Sequence, residues 1–298
     1  MRLLITGWQG QVSRALGEAA ARRQDIEALA IGRPALDLVK LPTILRTLTD
    51  ARPDVVINTA AYTAVDQAET DVEAAFALNR DGAARLAEAA AERGLPIIHL
   101  STDYVFDGLK AIPYVESDPT GPRSVYGRSK LEGERAVMVA NPKHLIVRTA
   151  WLHSSFGQNF VRTMLQLARE KQRVRVVGDQ LGSPTSAEHL AVTLLDLAAQ
   201  LAEGQERFGI LHAAGRGEAS WAELAREVFA RSQRLGGPSA EVEPITTAEY
   251  PTRAERPKNS RLDTRRLETE MRLRLPDWRE GVDASVRRLL AHEGDSVG

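Results

Sequence analysis

The chain has 298 residues, enough to bury a full core as one large domain or two closely joined ones. A formal net charge of -1 leaves no basic excess for a nucleic-acid surface, and the absence of cysteine excludes disulfides, thiol catalysis and cysteine metal sites. The N-terminal apolar run is too short for a signal-peptide core, and no stretch approaches the roughly 20 apolar residues of a membrane span, so a soluble, cytoplasmic protein is expected.

Short apolar runs alternate with helical patterns through the first half. Residues 3–5 form the first expected strand, and 11–22 the first helix. Strands follow at 26–31, 54–58 and 97–100. The alanine-rich segment 73–93 favours helix, with Gly94 as its stop. Two more strands are expected at 145–147 and 174–177. Beyond about residue 150 the loops lengthen, at 151–159 and 235–261. A further apolar run at 210–212 precedes a helix whose start is marked by Ser220 and Glu223, a capping-box pair. The tail 293–298 is polar and is expected to fray.

Buried strands separated by helices predict an α/β fold, a Rossmann-type doubly wound parallel sheet with a smaller C-terminal α/β lobe for substrate. The expected dinucleotide-binding domain spans 1–150, with the strand and helix of 172–205 added to the same sheet. Residues 151–171 and 206–298 then form the substrate lobe.

Gly7-Trp8-Gln9-Gly10-Gln11-Val12-Ser13 follows the first strand and opens the first helix. Gly7 permits a tight turn, Gly10 lets the backbone approach a pyrophosphate, and the helix N-terminus offers free N–H groups. Ser13 stands where a third glycine is usual. The other reading is an ordinary strand–helix turn. The second strand runs into Arg33 rather than an acid. Arginine suits the 2′-phosphate of NADPH, although a solvated surface arginine fits as well. Asp37 and Leu38 are placed to border the adenine.

Tyr126 and Lys130 stand four residues apart, on one face of a helix. A free phenol has a pKa of about 10, and a neighbouring ammonium lowers it. Such a pair can protonate the oxygen of a ketone receiving a hydride. Ser101-Thr102-Asp103 directly follows the fourth strand, at the sheet edge where ligands bind, with the Thr102 hydroxyl available to the substrate oxygen. A surface tyrosine beside a surface lysine is the bland alternative. Trp151 offers a flat apolar face or is a core residue. Arg256 is a candidate partner for a diphosphate, or a member of a surface ion pair.

These residues resemble the extended short-chain dehydrogenase/reductase family. The likeness covers nearly the whole chain. It is carried most specifically by Ser101-Thr102-Asp103-Tyr104-Val105-Phe106-Asp107-Gly108, and also by segments 58–66, 126–134, 148–151, 179–185 and 256–260. The resemblance implies reduction of a dTDP-linked 4-keto sugar, dTDP-4-dehydro-L-rhamnose to dTDP-L-rhamnose, with NADPH or NADH. It implies a catalytic triad of Thr102, Tyr126 and Lys130. Implied cofactor contacts are Gly10, Gln11, Val12, Asp37, Leu38, Ala61, Tyr62, Thr63, Tyr126 and Lys130. Implied substrate contacts are Thr102, Asp103 and Trp151. Asn79 matches an asparagine that supports the site in relatives, or is a helix-surface residue. Some members bind Mg2+ through glutamates at a dimer contact, but no carboxylate cluster here compels a metal site. A monomer or homodimer acting on a nucleotide sugar is expected. The alternatives are an epimerase or dehydratase that retains NAD+, and a non-catalytic NADP-binding regulator.

Overall fold

In the computed structural model, which describes residues 1–294, six strands pair in parallel. They are β1 (Arg2–Thr6), β2 (Glu27–Ile31), β3 (Val55–Asn58), β4 (Ile97–Thr102), β5 (His144–Thr149) and the edge strand Gly209–His212. Their order across the sheet is Gly209–His212, β5, β4, β3, β1, β2. The central strands read as unbroken Leu, Ile and Val because helices cover both faces. Alternation along each strand then sorts the side chains. Leu3, Ile5, Val55 and Ile57 pack with Val12 and Leu16 of α1 (Gln11–Ala20) and with the helix Ala187–Ala202. Leu4, Val56, Ile97 and Ile146 face the opposite layer, with Ile44, Leu48, Leu86 and Ala90.

The strand expected at 174–177 forms as Arg173–Val177, but it does not join this sheet. It pairs in parallel with Glu241–Ile245. The reason lies in its pattern. Arg173 and Arg175 are exposed and meet Glu241, Glu243 and Glu249, so only one face can be buried. A strand inside a sheet covered on both faces cannot carry such charges. The helix Ala187–Ala202 of the same segment does pack on the main sheet, beside α1.

A second apolar cluster joins Val174 and Val176 to Val161, Met164, Val228, Phe229, Val282 and Val286. It sits among the helices Phe160–Glu170, Trp221–Arg234 and Trp278–Gly294. Ser220 and Glu223 close the expected capping box at the head of Trp221–Arg234. The helical segment 73–93 contains a π-helical stretch, Ala77–Gly82, between α-helical flanks. It buries Asn79 and Gly82. Such wide turns recur at functional sites. The last helix runs to Gly294, and the remainder of the tail expected to fray lies outside the described residues.

Candidate active site

Parallel strands end at one edge of the sheet, and two adjoining cavities of about 830 and 600 Å3 open there. They share Gly10, Ser13, Thr59, Ala61 and Thr63. The larger is also lined by Gly7, Trp8, Arg33, Asp37, Leu38 and Tyr62. The smaller is lined by Gln11, Val12, Thr102, Asp103, Tyr126, Lys130, Trp151 and Arg256. The structure thus brings every residue singled out in the sequence for cofactor, catalysis or substrate onto the wall of one continuous cleft.

Gly7 takes φ +84°, a conformation that favours glycine, and its N–H donates to Ile31 O at 2.7 Å. Gly10 is the N-cap of α1 and provides no side-chain cap, which leaves the first N–H groups of the helix for a ligand. Ser13 is buried and donates to Gly10 O at 3.0 Å, so the third position ties the turn together. Gln11 accepts bonds from Ser154 at 2.8 Å and Asn159 at 3.1 Å, linking the turn to the C-terminal half. Arg33 is exposed at the rim of the larger cavity. Asp37 accepts from Val39 N at 3.2 Å. Trp8, which sequence reasoning passed over, lies across Gly32, where a Cβ would come within 2.6 Å of its ring. These features fit a dinucleotide cradle.

Asn79 is a buried bridge rather than a surface residue. Its Oδ1 accepts from Tyr62 N at 2.7 Å, and its Nδ2 donates to Tyr62 O at 3.1 Å and Ser129 Oγ at 2.9 Å. It therefore joins the 61–63 loop to the helix Val125–Ala140.

Ser124 caps that helix, accepting from Gly127 N at 3.1 Å. Tyr126 is half-buried in the cleft wall, and Lys130 is buried. Lys130 Nζ donates to Leu100 O at 2.7 Å and lies 3.3 Å from His99 Nε2. Burial pulls the lysine down to about 8. Burial also raises the Tyr126 phenol above its ordinary range, opposed by hydrogen bonding with Thr102. Desolvation is thus the largest influence on the phenol, ahead of its hydrogen bonding with Thr102. Thr102 Oγ1 donates to Asp103 Oδ1 at 3.0 Å and accepts from Tyr104 N at 3.2 Å. Burial pushes the Asp103 carboxyl up to about 6. Its Oδ2 is buried with no hydrogen-bond partner among the described residues.

Trp151 lines the cleft, yet one ring face is covered by Trp221, with centroids 3.5 Å apart and planes 5° from parallel. Its indole N–H donates to Ser260 Oγ at 3.1 Å. Trp221 and Phe160 also line the smaller cavity and were not legible in sequence, since no local motif marks them. Arg256 does enter an ion pair, with Asp66 at 2.7 Å, and it donates to Tyr104 OH at 3.2 Å while still lining the cleft. Among the described residues no group of three or more His, Asp or Glu could hold a metal ion, and no helix is long and apolar enough to cross a membrane. Mg2+ therefore gains no support.

Residues 1–291 match the family described as the RmlD substrate binding domain. A dTDP-4-dehydrorhamnose reductase from Sinorhizobium fredii is 50% identical over 298 residues, covering 99% of this chain and all of the relative. The crystal structure of a dTDP-4-dehydrorhamnose reductase from Clostridium acetobutylicum aligns with a TM-score of 0.89 at 38% identity, covering 97% of this chain and 100% of that one. That of the Bacillus anthracis dTDP-4-dehydrorhamnose reductase, in complex with NADP, gives 0.89 at 33% identity, covering 95% and 98%. With its parallel sheet, its glycine cradle and these full-length likenesses, the chain belongs to the RmlD substrate binding domain family, that of the dTDP-4-dehydrorhamnose reductases.

Proposed function

We propose that this chain reduces the 4-keto group of dTDP-4-dehydro-L-rhamnose to give dTDP-L-rhamnose, with NADPH as reductant. The observation that carries the reading is the convergence of Thr102, Tyr126 and Lys130 on a cavity that continues into the glycine cradle. Family membership supplies the substrate class.

NADPH, when bound, supplies the hydride for the carbonyl carbon. Tyr126 gives its phenolic proton to the ketone oxygen as negative charge develops there. Thr102 orients that oxygen, which requires its hydroxyl to turn from Asp103. Lys130 offers an N–H toward the cofactor ribose and, when protonated, steadies the phenolate left on Tyr126. Gly7, Gly10, Gln11 and Val12 form the pyrophosphate cradle. Asp37, Leu38, Ala61, Tyr62 and Thr63 would border the adenosine half, and Arg33 would meet a 2′-phosphate. Asp103, Trp151 and Arg256 hold the nucleotide sugar. Much of the acceleration comes from positioning the reacting partners.

The test is the purified protein with dTDP-4-dehydro-L-rhamnose and NADPH or NADH. Loss of one reduced cofactor per dTDP-L-rhamnose formed supports the proposal. Conversion of the sugar without net cofactor oxidation would instead indicate an epimerase or dehydratase cycle. No turnover with tight NADP binding would indicate a regulator.

A further inference from the structure

We infer that a one-way hydrogen-bond chain through Thr6, Asn58 and His99 fixes the Nε2–H tautomer of His99, making it a positioning residue that favours the neutral amine of Lys130. The inference rests on reading Lys130 as part of the reaction.

The direction of the chain is set by backbone. Thr59 N and Ala60 N both donate to Thr6 Oγ1, each at 3.1 Å. These bonds occupy both acceptor positions of the hydroxyl. Its single proton is left for Asn58 Oδ1, 2.6 Å away. The Asn58 amide is thereby oriented, with Nδ2 facing His99 Nδ1 at 2.9 Å. A turned amide would aim an N–H at a hydroxyl that has no acceptor position left, and would strand the hydroxyl proton. Nδ1 must therefore be unprotonated. A neutral imidazole then carries its proton on Nε2, the nitrogen 3.3 Å from Lys130 Nζ.

An ammonium at that place would set donor against donor in a buried site. Thr6, Asn58, His99 and Lys130 are all at most 3% exposed, so water cannot relieve the conflict. A neutral amine resolves it. Its lone pair accepts from His99, one N–H donates to Leu100 O at 2.7 Å, and the other remains for the cleft. Burial, followed by the charge of Lys130, pushes His99 well below its ordinary value, and burial draws Lys130 down to about 8, both in the same sense. The ionisable groups on the elements around Lys130 include Glu134, which is paired with Arg148 of β5, Tyr126, Arg128, Glu132 and Arg135 on its own helix, and Asp103 and Tyr104 after β4. Glu69 accepts from Val125 N at the head of the same helix. Glu134 favours the cation, so the chain from Thr6 opposes it.

The decisive measurement is nitrogen-15 NMR of histidine-labelled, unliganded protein, with the Lys130 titration followed through its side-chain signals. His99 is expected as the neutral Nε2–H tautomer, and Lys130 is expected to lose its proton at least tenfold more readily than an ordinary lysine, about one pKa unit. Asn58→Asp replaces the amide donor by a carboxylate, which needs a proton on His99 Nδ1. That variant is expected to reverse the tautomer and strengthen proton binding at Lys130 at least tenfold. The alkaline limb of ketone reduction should move up with it, a shift that a merely structural role for Asn58 would not produce. His99 protonated at Nδ1 in the wild type, or Lys130 titrating as an ordinary lysine, overturns the inference. If Asn58→Asp does not fold, the wild-type spectra decide alone. They are read without cofactor or sugar, so failure here is distinct from failure to reduce the proposed substrate.

Discussion

Glu134 grips Arg148 through two parallel bonds, Nε to Oε1 at 2.9 Å and Nη2 to Oε2 at 2.7 Å, with both side chains buried. Ser101 donates to the same carboxylate, so one residue of the Tyr126–Lys130 helix is tied to the ends of β4 and β5. Removing the carboxylate strands a buried guanidinium, which costs about 3–5 kcal/mol. Glu134→Gln should lower the urea midpoint accordingly. The double change Glu134→Leu with Arg148→Met should recover much of the loss. An unchanged midpoint in the single variant would show that the pair holds nothing.

Tyr126→Phe keeps the ring and removes the proton donor. Reduction should fall at least ~100-fold, the scale of general acid catalysis. Cofactor affinity, measured by fluorescence titration, should stay nearly constant. Turnover within a few-fold of wild type would exclude Tyr126 as the acid.

Arg33 stands exposed at the rim of the larger cavity. One hydrogen bond to a charged group contributes about 1.5–3 kcal/mol. Arg33→Ala should therefore weaken NADPH binding roughly 10- to 100-fold. NADH binding should change little, and equal loss for both cofactors would remove the 2′-phosphate role.

Burial raises the Asp103 carboxyl from 3.8 to about 6, so the folded state holds its proton more tightly than the unfolded chain. That contribution to stability is complete below pH 4 and is lost as pH rises through 6, by an amount on the order of 3 kcal/mol at neutral pH. Asp103→Asn should be more stable than wild type at pH 7, with the gap closing toward pH 4. Sugar-nucleotide affinity should fall in the same variant, since this carboxyl faces the smaller cavity. Thermal unfolding at both pH values measures the first effect, and a gap independent of pH would contradict the buried-carboxyl account.

Local chemistry made much of this protein legible in its sequence. Apolar runs of strand length announced β1 to β5, because strands covered on both faces are built mainly from apolar residues. Gly7, Gly10 and the Tyr126–Lys130 spacing marked residues that line the adjoining cavities at the sheet edge, because a tight turn and a shared helix face each need neighbouring residues in fixed order. Capping at Ser220 was readable for the same reason.

Tertiary structure decided what depends on partners distant in sequence. Arg173–Val177 looked like another core strand until its pairing with Glu241–Ile245 exposed one charged face. The Trp151–Trp221 stack, the Glu134–Arg148 grip and the Asn79 bridge join residues 14 to 70 positions apart. The protonation balance of Tyr126 and Lys130 was also decided there. Spacing along a helix sets which groups can meet, whereas desolvation by the whole surrounding fold sets which of them carries charge.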